Sequence, residues 1–411
     1  MCDKICESRC SAVLIGTGMG NKNMLTLDAR TQIEKADACI GAVRLLEVCP
    51  KEKPKFAEYR SVEIIKIIKG HPEYNRWAIV LSGDVGFYSG AKALTKACKE
   101  AGISVDIVPG IASVVYLAAK LGISWEDAAL RSIHGRNQNT IYAIDHHAKT
   151  FLLLDRKSGT EFCEQVREYG MEDLICHIGI RLSYEDETIR TISAGELTPE
   201  DLGELSTMLI ENPHPVESVS AHLPDDAFIR SQEGHVVPMT KAEVRAVSMA
   251  KLGLTREAVF YDIGAGTGSV SIEAALHGEQ VQVYAIEQRE DACDLIRANR
   301  RKFRVAQVQV IHGSAPEAME GLPVPTHAFI GGSTGHLHDI IRMLKEKNPE
   351  VALVINAISL ETIEEVMCAV RSGLLRDPEI IQMNVAASRV LGRYHMMTGQ
   401  NPVYIITERK R

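Results

Sequence analysis

The sequence predicts two α/β domains, and two observations lead to this prediction. Short apolar runs alternate with helical patterns from Ser11 to about Ile210, and a second alternation of the same kind follows residue 240. Each half also contains a glycine-rich loop directly after an apolar run, at residues 16–20 and 264–268. Strands that alternate with helices form mainly parallel sheets. The 411 residues are enough for two hydrophobic cores of about 200 residues each.

The apolar runs mark the expected strands. In the first half they cover residues 12–15, 38–40, 77–81, 105–108, 151–154 and 174–178. In the second half they cover residues 259–262, 282–286, 307–311, 327–330 and 352–355. Two later runs, 380–385 and 403–407, have little helix between them, so we expect them to pair antiparallel.

A segment rich in Pro, His, Asp and Ser separates the two alternations and shows no periodicity. The expected organisation is therefore a domain at 11–215, a linker at 216–239 and a domain at 240–411. Thr240 is expected to cap a helix over residues 241–252, because Glu243 follows at the capping-box spacing.

Composition limits the possible functions. The formal net charge is −8, with no dense basic block, so nucleic acid is not an expected partner. The chain contains no apolar run of 18 residues, and its first residues are too polar for a signal peptide, so we expect a cytoplasmic protein that does not enter membranes.

The ten cysteines are scattered, and six of them lie in apolar segments, as reduced and buried thiols do. Cys2, Cys6 and Cys10 would share one face if the segment were helical, which leaves a metal or cluster as an alternative. No fourth ligand is evident, so no metal is expected. The six cysteines in apolar segments are Cys39, Cys98, Cys163, Cys176, Cys293 and Cys368.

The second glycine loop leaves an apolar run, turns on Gly264, Gly266 and Gly268, and enters a helical pattern. The third glycine comes one residue too early for the dinucleotide fingerprint. The spacing instead resembles motif I of the Rossmann-like S-adenosylmethionine methyltransferases. Glu287 ends the next apolar run, where a carboxylate can accept hydrogen bonds from both ribose hydroxyls of the donor. This resemblance implies the following donor-binding residues: Gly264, Ala265, Gly266, Thr267, Gly268, Glu287 and Ala315.

The loop after the fourth apolar run, residues 329–335, has no Asp/Asn-Pro-Pro-aromatic clamp for a planar nitrogen. A bulkier acceptor is therefore expected. Together with residues 240–245, this loop resembles the decarboxylating precorrin methyltransferases, and that resemblance implies that Thr240 contacts the donor. Lys241 and Arg245 are four residues apart on one helical face, and our hypothesis is that one of them binds acetate groups of the substrate. The candidates for a proton donor, chosen by side-chain type alone, are His312, His336, His338 and Tyr394.

The first half carries three spaced signals, at residues 14–20, 81–89 and 108–113. Their order and spacing resemble the tetrapyrrole methylase family, which has a two-lobed α/β fold. The resemblance implies that residues 16–20 border a tetrapyrrole cleft. It also implies that the second and third signals bind the methyl donor through Ser82, Gly83, Asp84, Phe87, Ala112 and Ser113.

Two residues depart from that family's pattern. Met19 replaces a usual proline, and Asp28 replaces a residue that is commonly basic or polar. The resemblance implies a substrate with many carboxylates, so its cleft is expected to be locally basic, and the candidates that follow the third signal are Arg131, His134 and Arg136.

The fusion of these two halves resembles the bifunctional precorrin methyltransferases of cobalamin biosynthesis. This implies S-adenosylmethionine as cofactor, methylation at carbon 5 by the first half, and methylation at carbon 15 with decarboxylation by the second. A homo-oligomer is expected by analogy. A tRNA methyltransferase with an accessory domain and a non-catalytic donor-binding scaffold are the alternatives. Cobalt-containing and metal-free substrates both stay open.

Overall fold

A computed structural model describes residues 10–133, 139–203, 206–216, 222–231 and 236–408. Its contacts divide the chain into two compact units between residues 215 and 216, with the short segments 139–146 and 168–170 counted in the second unit. The sequence-based expectations for Cys2, Cys6, His134 and Arg136 concern residues outside the described ranges. Among the residues described, no helix is long and apolar enough to cross a membrane.

The first unit begins with a five-stranded sheet in the order β3-β2-β4-β1-β5, in which every pair is parallel. Apolar residues of α1 pack on one face of this sheet, and those of α2 and α3 pack on the other. The strands and helices are β1 (Ser11–Gly16), α1 (Leu27–Lys35), β2 (Ala38–Gly41), β3 (Lys55–Ala57), α2 (Ser61–Gly70), β4 (Arg76–Leu81), α3 (Ala91–Glu100) and β5 (Ser104–Val108).

A second five-stranded sheet follows in the order β6-β7-β10-β8-β9. Only β6 and β7 run parallel, and the other pairs are antiparallel. The prediction of a mainly parallel sheet is therefore wrong for this part of the chain. Apolar residues of α4 pack against this sheet. The elements are α4 (Ser113–Leu121), β6 (Ala129–Ser132), α5 (Thr140–Asp145), β7 (Lys149–Leu154), α6 (Arg156–Glu168), β8 (Ile175–Ile180), β9 (Thr188–Ser193) and β10 (Ser206–Glu211).

The second unit is built on a seven-stranded sheet in the order β13-β12-β11-β14-β15-β19-β16. The first five strands are parallel, and β19 is antiparallel to both β15 and β16, which confirms the expected late antiparallel pair. Its elements are α7 (Ala242–Leu252), β11 (Val259–Ile263), α8 (Ser269–Leu276), β12 (Gln282–Glu287), α9 (Glu290–Lys302), β13 (Val308–His312), β14 (His327–Ile330), α10 (Leu337–Lys347), β15 (Ala352–Ala357), α11 (Leu360–Arg371), β16 (Glu379–Met383), β17 (Ala386–Leu391), β18 (Tyr394–Gly399) and β19 (Val403–Glu408).

Two apolar cores sandwich this sheet. Helices α7, α8 and α9 contribute Met249, Ile272 and Ile296 to one face, while α10 and α11 contribute Ile341 and Val366 to the other. Strands β17 and β18 form a separate two-stranded ribbon. The chain leaves β11 towards β12 on one side and later returns to β14 on the other side. The carboxyl end of β11 is therefore a topological switch point, where open α/β sheets bind ligands.

The start of α7 differs from the expected capping box. The helix begins at Ala242, its N-cap residue is Lys241, and no side chain caps it. Thr240 therefore lies one residue before the cap, where its hydroxyl is not placed to accept the amide protons of the first turn.

Candidate functional site

The second glycine loop lies at the switch point, between β11 and α8. Gly264 and Gly266 have φ of +71° and +56°, a region that side chains disfavour. A Cβ on Gly264 would lie 2.8 Å from the Gly332 backbone N, and one on Gly266 would lie 2.4 Å from the Pro238 carbonyl O. Only glycine lets the backbone pass this closely, and we refer to the loop of residues 264–268 as the glycine cradle.

Glu287 ends β12 beside this loop and is buried. Its Oε2 accepts a hydrogen bond from the backbone N–H of Gly266 at 2.9 Å, and its Oε1 accepts from the N–H of Arg289 at 3.0 Å. The carboxylate therefore has a fixed orientation at the cavity wall and keeps further lone pairs for a ligand's hydroxyl donors.

Asp262 is a residue of this site to which the sequence analysis gave no role. It is buried at the end of β11, where burial raises the pKa of its carboxyl to about 7 despite the hydrogen bond that Ser271 Oγ donates to Oδ2 at 2.5 Å. Within the described part of the chain, Asp262 Oδ1 and the hydroxyl of Thr267 have no partner. The detectable signal was an acidic residue that interrupts an apolar strand directly before the glycine turn.

A cavity of about 210 Å³ lies beside the glycine loop and Glu287, and neither Asp262 nor Thr267 lines it. Gly264, Gly266, Glu287 and Ala315 line it, as expected for donor-binding residues, whereas Ala265, Thr267, Gly268 and Thr240 are not among its lining residues. Lining residues to which the sequence analysis gave no role include Val237, Pro238, Gln288 and Arg289.

The loop after β14 forms another wall of this cavity. Thr334 and Gly335 adopt positive φ of 50° and 83°, and a Cβ on Gly332 would meet nothing within 4 Å. This wall therefore offers open space and no aromatic clamp, in keeping with the expected bulky acceptor.

Arg245 does not face the cavity, which corrects the hypothesis that it binds substrate acetates. Its side chain is completely buried, and its Nε donates to Glu273 Oε1 at 2.6 Å. Its other N–H groups donate to the carbonyls of Thr240 and Leu223 and to Asp225 Oδ1. Four of its five N–H groups are thus bonded within the protein, and the buried guanidinium is not exposed to a substrate. Lys241, whose Nζ lies 3.5 Å from Asp225 Oδ2, is about half exposed, and its role stays a prediction.

The four candidates for a proton donor do not line the cavity. His312 Nε2 contacts the carbonyl of Gln288 at 3.1 Å, and His338 Nε2 contacts the carbonyl of Glu365 at 2.9 Å. His336 is the N-cap residue of α10, and Tyr394 is exposed on the β17–β18 ribbon. None of the four is brought to the glycine cradle by the fold.

In the first unit, the three signals meet at one junction of backbones. Gly18 and Gly83 exchange hydrogen bonds, with N–O distances of 3.2 and 2.6 Å. A Cβ on Gly16 would lie 2.5 Å from the Gly110 N and 2.8 Å from the Gly83 carbonyl O. Asp84 accepts hydrogen bonds from the N–H groups of Gly86 at 2.7 Å and Gly110 at 3.1 Å, so its carboxylate ties the second signal to the third.

A cavity of about 960 Å³ lies beside this junction. Of the residues expected to bind the donor, Ser82, Gly83, Phe87 and Ser113 line it, and Asp84 and Ala112 do not. Met19 also lines it, which fits the expectation that the first glycine loop borders a cleft. Further lining residues that lie between the signals or beyond them were not predicted from the sequence, among them Arg44, Glu47, Arg181, Tyr184 and Thr207.

Arg44 links two of these signals. Its Nη2 donates to Ser82 Oγ at 3.1 Å and its Nη1 to the Met19 carbonyl at 3.4 Å. Thr207 donates to Ser113 Oγ at 2.7 Å. The cavity thus receives basic and hydroxyl groups from both sheets of the unit. The expected basic residue Arg131 lies on β6 and donates to the Leu130 carbonyl, and it is not among the lining residues.

Across the described ranges, no three His, Cys, Asp or Glu side chains group where they could hold a metal ion. Of the cysteines expected to be buried and reduced, Cys368 is partly exposed, and the other five are buried and free.

Both halves of the chain match known protein families. Residues 232–410 match the model of the precorrin methyltransferase domain, and residues 12–198 match that of the tetrapyrrole (corrin/porphyrin) methylases. A probable cobalt-precorrin-6B C(15)-methyltransferase (decarboxylating) from Pyrobaculum calidifontis is 44% identical over 187 residues, which is 45% of this chain and 94% of the relative.

Two further relatives match the same portion of the chain. A cobalt-precorrin-6B C(15)-methyltransferase (decarboxylating) from Salmonella typhi is 37% identical over 188 residues, covering 45% of this chain and 95% of the relative. The crystal structure of a precorrin-6y C5,15-methyltransferase from Geobacter metallireducens is 36% identical and covers 46% of this chain and 97% of that one, with a TM-score of 0.42.

Proposed function

Because the chain belongs to the precorrin methyltransferase family, we propose that it methylates a precorrin or cobalt-precorrin at carbons 5 and 15 and removes carbon dioxide from the ring C acetate, in cobalamin biosynthesis. We assign methylation at carbon 5 to the first unit, and methylation at carbon 15 with decarboxylation to the second. The observation that carries the proposal is the cradle of Gly264 and Gly266 at the switch point, with the buried Glu287 fixed at its wall.

The residues at the cradle fit S-adenosylmethionine. Gly264 and Gly266 leave room for close backbone approach, and Glu287 presents acceptors suited to ribose hydroxyls. Asp262 Oδ1 and the Thr267 hydroxyl are buried polar atoms without partners in the described ranges, and such atoms require an explanation. When bound, the donor supplies an activated methyl group on its sulfonium.

The protein's contribution to methyl transfer is alignment and exclusion of water, because the acceptor is an electron-rich ring carbon that needs no strong base. The loop of residues 331–335 contributes open space for a macrocycle at the second site. At the first site, the 960 Å³ cavity provides the volume, and Arg44 and Arg181 provide positive charge for substrate carboxylates. A cytoplasmic location and self-association remain part of this proposal.

The test is to incubate the purified chain with S-adenosylmethionine and a late precorrin, with and without cobalt, and to measure the product masses by mass spectrometry. Two added methyl groups and one lost carbon dioxide are expected. The comparison of the two substrates identifies the natural one. Products with no added methyl group from either substrate would refute the proposal.

A further inference from the structure

We propose that Asn299 and the Arg245–Glu273 pair are positioning residues for the donor site of the second unit, and that they act through a strap formed by residues 222–231 and 236–240. This inference rests on the proposed function. It concerns the segment that the sequence analysis treated as a linker, whose described residues are bonded to α7, α8 and α9.

The end of the strap is part of the donor cavity. Val237 and Pro238 line it, and the Pro238 carbonyl accepts a hydrogen bond from the N–H of Thr267 at 3.4 Å. The same carbonyl occupies the space that a Cβ on Gly266 would need. A displacement of the strap therefore changes both the wall of the cavity and the path of the glycine loop.

Asn299 joins the strap to that loop with a single side chain. It is completely buried on α9, and its Oδ1 accepts from the N–H of Ile229 at 2.8 Å. Its Nδ2 donates to the carbonyl of Ile229 at 3.1 Å and to the carbonyl of Thr267 at 3.0 Å. Both N–H groups and the oxygen of the Asn299 amide are hydrogen-bonded to the strap or to the glycine loop. Asn299 therefore sets the distance between these two segments.

The Arg245–Glu273 pair fixes the strap at two further points. Arg245 donates to the carbonyls of Leu223 and Thr240, which lie near opposite ends of the strap, and its guanidinium lies 4.8 Å from the ring centroid of Phe228. Glu273 Oε1 also accepts from the N–H of Leu223 at 2.9 Å.

A buried ion pair is weak evidence for stability, because the loss of hydration offsets much of the attraction. The geometric effect of the Arg245–Glu273 pair is to orient the strap. The planar guanidinium holds two backbone carbonyls of the strap and the Glu273 carboxylate in one arrangement. We infer that the pair is used to place the strap against the donor cavity.

The experiment compares Asn299→Ala with Asn348→Ala in the full chain. Asn348 is the matched control, since its Nδ2 donates to the Pro325 carbonyl at 2.8 Å in the same unit but away from the strap. Isothermal titration with S-adenosylmethionine, without tetrapyrrole, should show two binding events in the wild type. In Asn299→Ala, one event should weaken by about tenfold while the other keeps its affinity.

Kinetics give a second readout. In Asn299→Ala, the donor KM for methylation at carbon 15 should rise by a similar factor, about tenfold, with kcat largely kept at saturating donor. The donor KM at carbon 5 should not change. A purely structural role would instead lower the active fraction and leave the KM unchanged.

Arg245→Lys provides the second variant if Asn299→Ala does not fold. Lysine can still pair with Glu273, but it cannot also donate to both strap carbonyls, so the same selective weakening is expected. The inference is overturned if a folded variant binds both donors with wild-type affinity, or if both events weaken equally. Failure of the proposed function would look different, because the wild type itself would then not methylate a precorrin.

Discussion

Asp262 makes the stability of the second unit depend on pH. Its pKa is about 7 in the folded protein against an ordinary value of 3.8, because burial disfavours the carboxylate. The folded state therefore holds this proton more tightly than the unfolded chain does. The resulting stabilisation is fully present below pH 3.8 and is lost as the pH rises towards about 7.

We predict that Asp262→Asn, which keeps a neutral side chain at every pH, removes this dependence and raises the free energy of unfolding of the donor-free protein at pH 8. Denaturant unfolding at pH 5 and pH 8 measures it. Asp339→Asn, at an exposed acid on α10, is the control and should behave like the wild type. An Asp262→Asn protein that loses stability with pH as the wild type does would contradict the prediction.

Glu287 is fixed in the donor cavity wall by two backbone hydrogen bonds. Its two oxygens each accept a backbone N–H, so Glu287→Gln places an amide N–H against one of those donors. Donor affinity at the second site should fall by about tenfold or more, with methylation at carbon 15 reduced and that at carbon 5 unchanged. Product masses and donor titration test this.

The control for Glu287→Gln is Glu290→Gln, three residues later and well exposed. It should keep both methylations. Equal activity of the two variants at carbon 15 would remove Glu287 from the donor site.

At the residue scale, sequence analysis placed the cavity-lining Gly264, Gly266 and Glu287 because strand-end positions follow from local pattern. It failed at Arg245 for a physical reason. The partner that buries Arg245, Glu273, lies 28 positions later, and no local pattern reveals such a pairing.

Among the elements of the first unit, the junction of β1 with its two neighbouring loops is the most constrained. We predict that Gly16→Ala costs more than about 2 kcal/mol of stability, because the new methyl would meet the backbones of Gly110 and Gly83. Methylation at carbon 5 should be lost while that at carbon 15 is kept. Thermal unfolding and product masses measure the two effects.

Gly70→Ala is the matched control for this change. Gly70 ends α2, and a Cβ there would meet nothing within 4 Å. It should leave stability and both methylations unaltered. If the Gly16→Ala and Gly70→Ala proteins unfold at the same temperature, the backbones of Gly16, Gly83 and Gly110 can move apart without loss of stability, which would contradict the prediction.

Element types were easier to predict than strand directions. The parallel order of the first sheet and of β11 to β15 follows from alternation with helices, and the late antiparallel pair follows from the missing helix between its members. The strand directions of the second sheet were predicted wrongly because β9 and β10 were not among the expected apolar runs. Their antiparallel pairing with β7 and β8 therefore could not be inferred. The strap was missed because its hydrogen bonds go to Glu273 and Asn299, far along the chain.

For the whole molecule, the two units should bind the donor independently, since each has its own cores and cavity. We predict that Gly266→Ala, whose methyl would lie 2.4 Å from the Pro238 carbonyl, lowers the stoichiometry from two donors per chain to one. Its product should carry one added methyl group and retain the acetate.

Equilibrium dialysis with labelled donor checks the stoichiometry, and product mass checks the chemistry. One donor per wild-type chain would favour a molecule with a single working site. A Gly266→Ala chain that still removes carbon dioxide would place decarboxylation outside the second unit's cradle.

The position of β19 has a consequence for biosynthesis. This strand enters the sheet between β15 and β16, with Ile406 opposite both Ile355 and Ile380. During translation, the strands of the first unit have all been made by residue 211, whereas β15 keeps an open apolar edge until residues 403–408 leave the ribosome. An mRNA truncated before codon 403 would therefore yield a complete first unit attached to a sheet in which one edge of β15 is unpaired. Such an edge promotes aggregation or proteolysis.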